Sequence, residues 1–397
     1  MKALWLKRRI GVGLENLREE ARFRQIPDLD RGADRLLVHG GRRYLNLASN
    51  NYLGLAGHDS VRRAAVNAAE EYGASSGASR LITGTCFLFG ELEAELAEFK
   101  ECEDALVLGS GYAANLAILS SLADRHTVVF SDRLNHASIV DGIKLSGAKQ
   151  VRYRHNDMDH LAACLKRYAD APRKVLVTDS VFSMDGDVAE LERIVELCAR
   201  HDVAVAVDEA HGAGVFGRGR GLAYELGVAG YIDVHMGTLG KAFGSHGAYV
   251  AGDRTLIDWL RNAARPFIFS TALPPATVGA SLAAVQLIKD RPELGGRVLA
   301  MAERVRRVCR ALGLDTGGSV TQIVPVILGT NERALHGQEL LREKGVWAGA
   351  VRPPTVPGGS SRLRLCLRAD LTDDDMILLE SALTHLAAGL ERETPCL

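Results

Sequence analysis

Short apolar runs of strand length alternate with helical patterns between about residues 60 and 275 of this 397-residue chain. The clearest helix pattern is AELERIVELCARH at residues 189–201, where apolar side chains recur at helical spacing. This alternation indicates βαβ units, and so an α/β fold with a largely parallel sheet and helices on both faces. The predicted strands are ALVLG (105–109), TVVFSD (127–132), KVLVTDS (174–180), VAVAVDEA (203–210), YIDVHMG (231–237) and GAYVAG (247–252).

The two ends of the chain do not follow this alternation of strands and helices. Residues 1–45 predict a helical arm followed by a short hairpin, RLLVHGGRRYLNL, and residues 46–279 form the predicted large domain. Residues 280–397 predict a smaller α+β domain. In its last strand, SRLRLCLR, arginines alternate with apolar residues, which favours a sheet with one covered face. The other predicted elements are strands TQIVPVILG and VWAGAV and helices near 276–290, 294–312, 331–344 and 372–391.

Composition excludes several classes of protein. The chain has 48 Lys and Arg against 49 Asp and Glu, so no basic field favours nucleic acid or an anionic membrane surface. No apolar run is long enough to span a membrane, and the N-terminal residues lack the apolar core of a signal peptide. The seven scattered cysteines, Cys396 among them, never form C-x-x-C, which favours reduced thiols over disulfides or zinc. We therefore expect a cytoplasmic protein without a metal site.

Polar residues follow several of the predicted strands. They are Ser110, Asp132, Asp179, Asp208 and, after the strand near 237, Lys241. Because ligands of open parallel sheets bind beyond the carboxyl ends of the strands, these residues define a candidate site. Asp132 and Asp179 are expected to serve in turns and caps rather than in catalysis.

The stretch VAVAVDEAHGAG allows three interpretations. A DEAH nucleotide-hydrolase box would require a phosphate loop, and the candidate around Lys241 fails because Ala242 follows the lysine and His235 occupies the first glycine position. Alternatively, Asp208 caps a turn and His211 is an ordinary core histidine. The third interpretation links Asp208 with Lys241.

A pyridoxal 5'-phosphate (PLP) enzyme requires a lysine that binds the cofactor covalently and an acid that pairs with its pyridine nitrogen. It also requires a phosphate cradle, which a helix N-terminus with glycine and hydroxyl residues provides. The stretch GSGYAANLAIL at residues 109–119 fits that cradle, and Thr238 stands three residues before Lys241. The combination of lysine, strand-end aspartate and glycine turn is far more specific than any one of them.

The whole chain resembles the α-oxoamine synthase family of PLP-dependent enzymes, which have the fold of type I (aspartate aminotransferase-like) transferases. The resemblance implies a large, mostly parallel-sheet domain and a smaller C-terminal α+β domain. The matching stretches keep the family's order and include SNNYLGL (49–55), SDRLNHASIVDGIKLSGA (131–148), TDSVFSMDGDVAEL (178–191), VDEAHGAGVFGRGRG (207–221), GTLGKAFGSHGAYVAG (237–252), FIFSTALPPA (267–276) and RPPTVPGGSSRLRLCL (352–367).

The resemblance assigns catalytic roles around the cofactor ring. Lys241 would hold PLP and act as the base for the amino acid's α-proton. Asp208 would pair with the pyridine nitrogen, and His136 would stack on the ring. His211, with Ser183 nearby, would hydrogen-bond the ring's phenolic oxygen.

The resemblance also implies where phosphate and substrate bind. Gly111 and Tyr112, with Thr238 beside them, would lie at the phosphate. Thr271 would reach the phosphate of a neighbouring subunit, which implies a homodimer with its site at the subunit interface. Asn50 would line the substrate site, and Arg364 would bind the amino acid's carboxylate, although alternation alone does not select it among nearby arginines.

The implied reaction is a decarboxylative condensation of an amino acid with an acyl-CoA or acyl-carrier-protein thioester. Within the family, the wording of the matching motifs is most similar to the members that join L-alanine to a pimeloyl thioester and give 8-amino-7-oxononanoate in biotin biosynthesis. Branches that use glycine or serine with acetyl, succinyl or palmitoyl thioesters remain open. So does a non-catalytic partner subunit of the same fold, although that role predicts loss of Lys241 or Asp208.

Overall fold

A computed structural model describes residues 3–32 and 34–392 of the chain; Cys396 lies outside them. These residues divide into two compact units. The larger comprises Asn50–Ser183 and Asp187–Ala300. The smaller comprises the described residues within Met1–Ser49, Met184–Gly186 and Met301–Leu397, a grouping of both chain ends that the sequence did not predict. The predicted domain boundaries at residues 45 and 279 stay predictions.

In chain order, the strands of the described residues are numbered β1 to β13. They are β1 (Leu36–His39), β2 (Arg42–Asn46), β3 (Asp104–Leu108), β4 (Thr127–Asp132), β5 (Lys149–Tyr153), β6 (Arg173–Asp179), β7 (Ala204–Asp208), β8 (Val234–Thr238), β9 (Ala248–Gly252), β10 (Ile323–Gly329), β11 (Val346–Trp347), β12 (Gly349–Val351) and β13 (Ser361–Cys366).

The helices are numbered α1 to α14 in the same way. They are α1 (Leu4–Glu19), α2 (Asp59–Tyr72), α3 (Phe87–Phe99), α4 (Gly111–Leu122), α5 (Ala137–Ser146), α6 (Met158–Arg167), α7 (Leu191–His201), α8 (Leu222–Glu225), α9 (Arg254–Ala263), α10 (Arg265–Ile268), α11 (Pro275–Asp290), α12 (Leu294–Ala311), α13 (Asn331–Glu343) and α14 (Asp373–Arg392).

The larger unit is built on a seven-stranded sheet with the order β3-β9-β8-β7-β6-β4-β5. Strands β8, β7, β6, β4 and β5 pair in parallel, and β9 pairs antiparallel with both of its neighbours. The predicted α/β class with a mostly parallel sheet is confirmed. All six predicted strands start or end within one residue of an observed strand. Strand β5 was not predicted, because its Lys, Gln and Arg residues interrupt the apolar pattern.

Both faces of this sheet are buried, as a parallel sheet requires. Val129 of β4 points into one apolar cluster, which includes Ile118 of α4 and Ile139 of α5. Its neighbour Phe130 points into a second cluster, which includes Ile194 of α7. Since successive side chains of a strand alternate between faces, every sheet position must be apolar or hydrogen-bonded, except where a strand ends.

The smaller unit contains two three-stranded sheets. One has the order β1-β2-β11 and the other β10-β13-β12, so the predicted strand VWAGAV is divided between two sheets. All six residues of β13 are buried, and the prediction of a sheet with one open face is therefore wrong for this strand. The arginines can be buried because neighbouring groups bind them: Nη1 of Arg362 lies 2.6 Å from Oδ1 of Asp185.

Two general features follow from the described part of the chain. None of its helices is both long and apolar enough to cross a membrane. Its six cysteines are free thiols, three of them fully buried.

Candidate active site

A cavity of about 170 Å³ lies in the larger unit at the carboxyl ends of β6, β7 and β8. Parallel strands place their last residues at one edge of the sheet, which brings distant parts of the sequence together. Seven of the predicted site residues line this cavity. The full lining is Gly111, Tyr112, Asn115, His136, Ser138, Asp179, Asp208, Ala210, His211, Met236, Thr238 and Lys241.

Lys241 begins a chain of hydrogen bonds across this site. Its Nζ lies 2.8 Å from Nε2 of His211. On the other side of the imidazole, Nδ1 lies 2.7 Å from the hydroxyl of Tyr52. That hydroxyl donates in turn to Oδ1 of Asn50 at 3.1 Å. The histidine is buried, so these partners determine which tautomer it adopts.

The Tyr52 hydroxyl has one hydrogen and two polar neighbours, Asn50 and Nδ1 of His211. The imidazole is thus held on both sides, by Tyr52 at Nδ1 and by Lys241 at Nε2. The tautomer of His211 determines which partner donates in each of these two bonds.

Asp208 is the last residue of β7, and its carboxylate is buried. Oδ2 accepts the amide of Asn115 at 2.8 Å, and Oδ1 accepts the backbone N–H of Ala210 at 2.8 Å. Two N–H donors stabilise the ionised form. These two bonds hold both carboxyl oxygens of Asp208 in place at the cavity wall.

His136 precedes α5, and its ring lies over the first turn of that helix. Nδ1 accepts the backbone N–H of Ser138 at 3.3 Å and lies 2.7 Å from the Ser138 hydroxyl. Burial lowers the pKa of His136, although the charge of Asp208 acts in the opposite direction. A neutral, oriented imidazole is suited to stacking against a flat ring.

The N-terminus of α4 lies on the same cavity. Ser110 caps the helix by accepting the N–H of Ala113 at 3.1 Å. Among the described residues, no hydrogen-bond acceptor is recorded for the backbone N–H groups of Gly111 and Tyr112, which are the first two of the helix. Such groups form a ready anion site. The Thr238 hydroxyl donates to the Gly247 carbonyl at 2.9 Å, so a phosphate contact would require it to rotate.

These groups fit PLP. The helix N-terminus suits a phosphate, the buried carboxylate of Asp208 suits a protonated ring nitrogen, and the imidazole of His136 suits a ring face. Lys241 provides the amine that would hold the cofactor covalently. Met236 limits the space beside the helix, since a Cβ on Gly111 would lie 3.3 Å from its Cε atom.

The turn that carries Lys241 depends on one glycine. Gly244 has φ +66°, and its N–H donates to the Lys241 carbonyl at 2.9 Å. A Cβ at this position would lie 2.3 Å from the backbone nitrogen of Ala56. Any other residue would displace the turn, and with it the lysine.

Four predicted residues lie outside the cavity lining. Asn50 reaches the site through Tyr52, as described above. Ser183 is half-buried after β6, and Thr271 is exposed beside α11. Arg364 belongs to the smaller unit, where it is buried in β13 with Nη1 2.9 Å from Sγ of Cys366. Their roles stay predictions.

Sequence reasoning missed three residues of the site. Asn115 and Tyr52 lie within stretches that matched the family, but an amide in a helix and a tyrosine in a loop carry no signal of their own. Asp179 was assigned to turns and caps, although it ends β6 beside Asp208 and lines the cavity. The signal for Asp179 was its position after a buried strand, which it shares with Asp208.

Within residues 3–32 and 34–392, His, Cys, Asp and Glu side chains form no group of three or more that could hold a metal ion. The cavity is lined by a lysine, two aspartates and two histidines. Fold and site together define the chain as a PLP-dependent transferase of the aminotransferase type.

Comparison with known proteins supports that definition. Residues 42–383 match the family described as "Aminotransferase class I and II". A protein of Bacillus cereus strain B4264, named "Putative 8-amino-7-oxononanoate synthase", is 45% identical over 376 residues, which cover 94% of this chain and 95% of the relative. A protein of Bacillus anthracis with the same name is also 45% identical over 376 residues.

Solved structures point the same way. A Sphingomonas wittichii serine palmitoyltransferase has a TM-score of 0.92 at 30% identity, over 98% of this chain and 100% of that one. A variant of SPT with PLP matches with a TM-score of 0.92 at 30% identity, over 96% of this chain and 98% of that one. An 8-amino-7-oxononanoate synthase from Francisella tularensis matches with a TM-score of 0.74 at 27% identity, over 88% and 98%.

The chain belongs to the aminotransferase class I and II family and, within it, to the α-oxoamine synthases. It is a PLP-dependent acyltransferase, as the sequence predicted.

Proposed function

We propose that this enzyme condenses L-alanine with a pimeloyl thioester, carried by CoA or by an acyl carrier protein, to give 8-amino-7-oxononanoate for biotin biosynthesis. The observation that carries the proposal is its similarity to 8-amino-7-oxononanoate synthases over nearly the whole chain. The cavity around Lys241 supplies the groups that such a condensation requires.

The proposed reaction balances as follows. The α-carbon of alanine loses its proton and bonds to the thioester carbonyl carbon, while the carbon–sulfur bond breaks and the thiolate takes up a proton. The bond between the α-carbon and the carboxylate of alanine then breaks. The carboxylate leaves as carbon dioxide, and the α-carbon takes up a proton in its place. When bound, PLP supplies an electron-accepting ring that stabilises negative charge at the α-carbon.

Lys241 has two roles in this proposal. It would hold the cofactor and would then remove and return the proton at the α-carbon. A base must be deprotonated when it acts, and Nε2 of His211 lies 2.8 Å from Nζ, within hydrogen-bond reach of the lysine. A tethered base beside its substrate also gains from proximity.

Asp208 and His136 would orient the cofactor. The charge of Asp208 would keep a proton on the ring nitrogen, and its two N–H partners hold the carboxylate in place. His136 would cover the ring face and exclude water from it. His211 and Ser183 would hydrogen-bond the phenolic oxygen.

Substrate and subunit contacts complete the proposal. Arg364 would bind the alanine carboxylate, as guanidinium groups bind carboxylates through paired hydrogen bonds, and Asn50 would line the substrate site. Thr271, which is exposed, would contact the phosphate bound by a second copy of the chain. The enzyme would therefore act as a homodimer.

Serine palmitoyltransferase activity is a second candidate. The specific observation in its favour is a TM-score of 0.92 with such an enzyme, against 0.74 with the solved 8-amino-7-oxononanoate synthase. Fold similarity does not select the substrate, and overall sequence identity is higher with the proteins named 8-amino-7-oxononanoate synthase, at 45% against 30%. We therefore rank it second.

Release of free thiol measures the reaction directly. Alanine, glycine and serine are each combined with pimeloyl-, acetyl-, succinyl- and palmitoyl-CoA and with pimeloyl carrier protein. We expect the highest kcat/KM for alanine with a pimeloyl donor. Preference for serine with palmitoyl-CoA would replace the proposal with the second candidate.

The role of Lys241 is tested by measuring the visible absorption of the purified protein after PLP is added. Lys241→Ala should abolish the band of covalently held cofactor and the thiol release. The control is Lys289→Ala, which removes a surface amine that pairs with Glu95 and Glu98 and should change neither signal. A wild-type protein that stays colourless with PLP would refute the assignment.

A further inference from the structure

Two carboxyl groups meet at the edge of the sheet. Asp179 is the last residue of β6 and Asp208 the last of β7, and the two are direct partners in the parallel ladder. Their side chains therefore point to the same face. Both are buried, with 5% and 4% of their surface exposed, and both line the cavity that holds Lys241.

The two carboxyl groups have unequal hydrogen bonds. Asp208 accepts two N–H groups, one on each oxygen, from Asn115 and Ala210. Oδ2 of Asp179 accepts one, the backbone N–H of His136, at 2.7 Å. Among the described residues, no hydrogen bond to the other oxygen of Asp179 is recorded. Hydrogen-bond donors thus favour the ionised form at Asp208 more than at Asp179.

The groups that face Asp179 come from four other parts of the larger unit. Asp208 on β7 and Asp132 at the end of β4 oppose its ionisation, whereas Lys241, after β8, and the N–H of His136, before α5, favour it. Burial, followed by the charge of Asp208, raises the pKa of Asp179 well above its ordinary value. Two neighbouring buried carboxyl groups seldom ionise together, because repulsion adds to the loss of solvent.

We propose that Asp179 is a positioning residue that stays protonated beside ionised Asp208, so that the pair carries one negative charge. Its Oδ2 holds the main chain of His136, and its proton lies on Oδ1 as a donor at the cavity wall. This inference deepens the proposed function and rests on it, since it takes Asp208 as the partner of the cofactor nitrogen. Asp179 thus acts on the cofactor site only indirectly, by holding the main chain of His136 and by leaving the negative charge of the pair on Asp208.

The two possible states of Asp179 predict opposite effects of one substitution. Asparagine has the shape of a protonated aspartic acid, with a carbonyl acceptor for the His136 N–H and a neutral donor beside it. If Asp179 is protonated, Asp179→Asn preserves both contacts. If it is ionised, the same change removes a charge. Asp179→Ala removes the His136 contact in either case.

Infrared difference spectra of the cofactor-free protein at neutral pH report the proton directly. Subtracting the Asp179→Asn spectrum from the wild type should leave a band of a protonated carboxyl group. Asp124→Asn is the matched control: hydrogen bonds and Arg173 lower the pKa of this half-buried aspartate, so its difference spectrum should contain a carboxylate band alone. A carboxylate band at Asp179 would overturn the proposal.

Binding of PLP gives the second measurement, by titration of its visible absorption. We expect Asp179→Asn to bind PLP within about threefold of the wild type, and Asp179→Ala to bind it about tenfold more weakly, the worth of one buried hydrogen bond. Equal loss in both variants would overturn the positioning role. If Asp179→Ala does not fold, the comparison of Asp179→Asn with the wild type is sufficient. A loss of PLP affinity of tenfold or more in Asp179→Asn, which corresponds to about 1.4 kcal/mol, would refute the proposal.

The two tests separate this inference from the function on which it rests. If the wild type fails to bind PLP, the proposed function fails, whatever the infrared spectra show. If it binds PLP and Asp179 proves ionised, this inference alone fails.

Discussion

Nζ of Lys241 and Nε2 of His211 lie 2.8 Å apart, and the opposite nitrogen of the same imidazole lies 2.7 Å from the Tyr52 hydroxyl. The lysine at the centre of the site is therefore connected to Asn50, near the N-terminal end of the larger unit. Because Tyr52 and Lys241 bind the two nitrogens of one imidazole, we expect a change at Tyr52 to alter the hydrogen bond of Lys241.

We expect Tyr52→Phe to lower kcat about tenfold while the protein stays folded, because Nδ1 of His211 loses its hydrogen-bond partner. The tautomer and the orientation of the imidazole beside the lysine then change. Steady-state kinetics and the pH dependence of the cofactor's visible absorption measure the effect. Tyr231→Phe, at an exposed tyrosine, is the control and should be neutral. Unchanged kcat and pH dependence in Tyr52→Phe would contradict the proposed hydrogen-bond chain.

Two glycines on either side of Lys241 should respond differently to alanine. Gly244→Ala places a Cβ 2.3 Å from the Ala56 nitrogen at a positive φ, and should lower the free energy of unfolding by about 3 kcal/mol or more. Gly240→Ala meets its nearest neighbour at 3.6 Å, an ordinary contact, and should be tolerated. Urea unfolding of both variants tests the difference; similar stabilities would show that the turn can shift freely.

We expect His155 to make the stability of the folded protein decrease as the pH becomes alkaline. Its Nδ1 lies 3.0 Å from Oδ1 of Asp132 and its Nε2 2.7 Å from Oδ2 of Asp187, while its ring meets the edge of Phe182. Burial lowers the pKa of His155, but the two carboxylates outweigh burial and raise it from 6.5 to about 10. The group is therefore charged in the folded protein at neutral pH.

The sign follows from the direction of that shift. A folded-state pKa above the unfolded one gives stability that is complete below about pH 6.5 and is lost as the pH rises through about 10. We expect His155→Gln to lower the free energy of unfolding by about 3 kcal/mol at about pH 7, and by much less above about pH 10. His126→Gln, at an exposed histidine, should change stability little at either pH. A constant difference between wild type and His155→Gln at all pH values would contradict the charged pair.

Arg364→Ala should raise the KM for the amino acid at least tenfold and leave the visible spectrum of bound PLP intact, because the lost guanidinium fork would have held the carboxylate. Arg364→Lys keeps the charge without the fork and should recover part of the affinity. Loss of cofactor in Arg364→Ala would instead assign this arginine to the PLP site.

The order of apolar runs was sufficient to predict the parallel sheet, because burial on both faces leaves a continuous apolar signal in each strand. Lys241, Asp208 and the glycine turn before α4 were recognisable from the chemistry of a cofactor and from the motifs around them. Strand β5 escaped prediction because polar side chains interrupt its pattern, and β13 was assigned an open face because arginines ordinarily mark solvent.

Contacts between distant residues required the tertiary structure. No pattern in the sequence joins Tyr52 to His211 or Asn115 to Asp208, since a hydrogen bond depends on positions that only the folded sheet brings within 3 Å. The same holds for Asp179. The sequence by itself determined that a carboxyl group ends β6, and the tertiary structure decided that this group is buried beside a second one. That neighbour, together with the loss of water, raises its pKa and separates its role from that of Asp208.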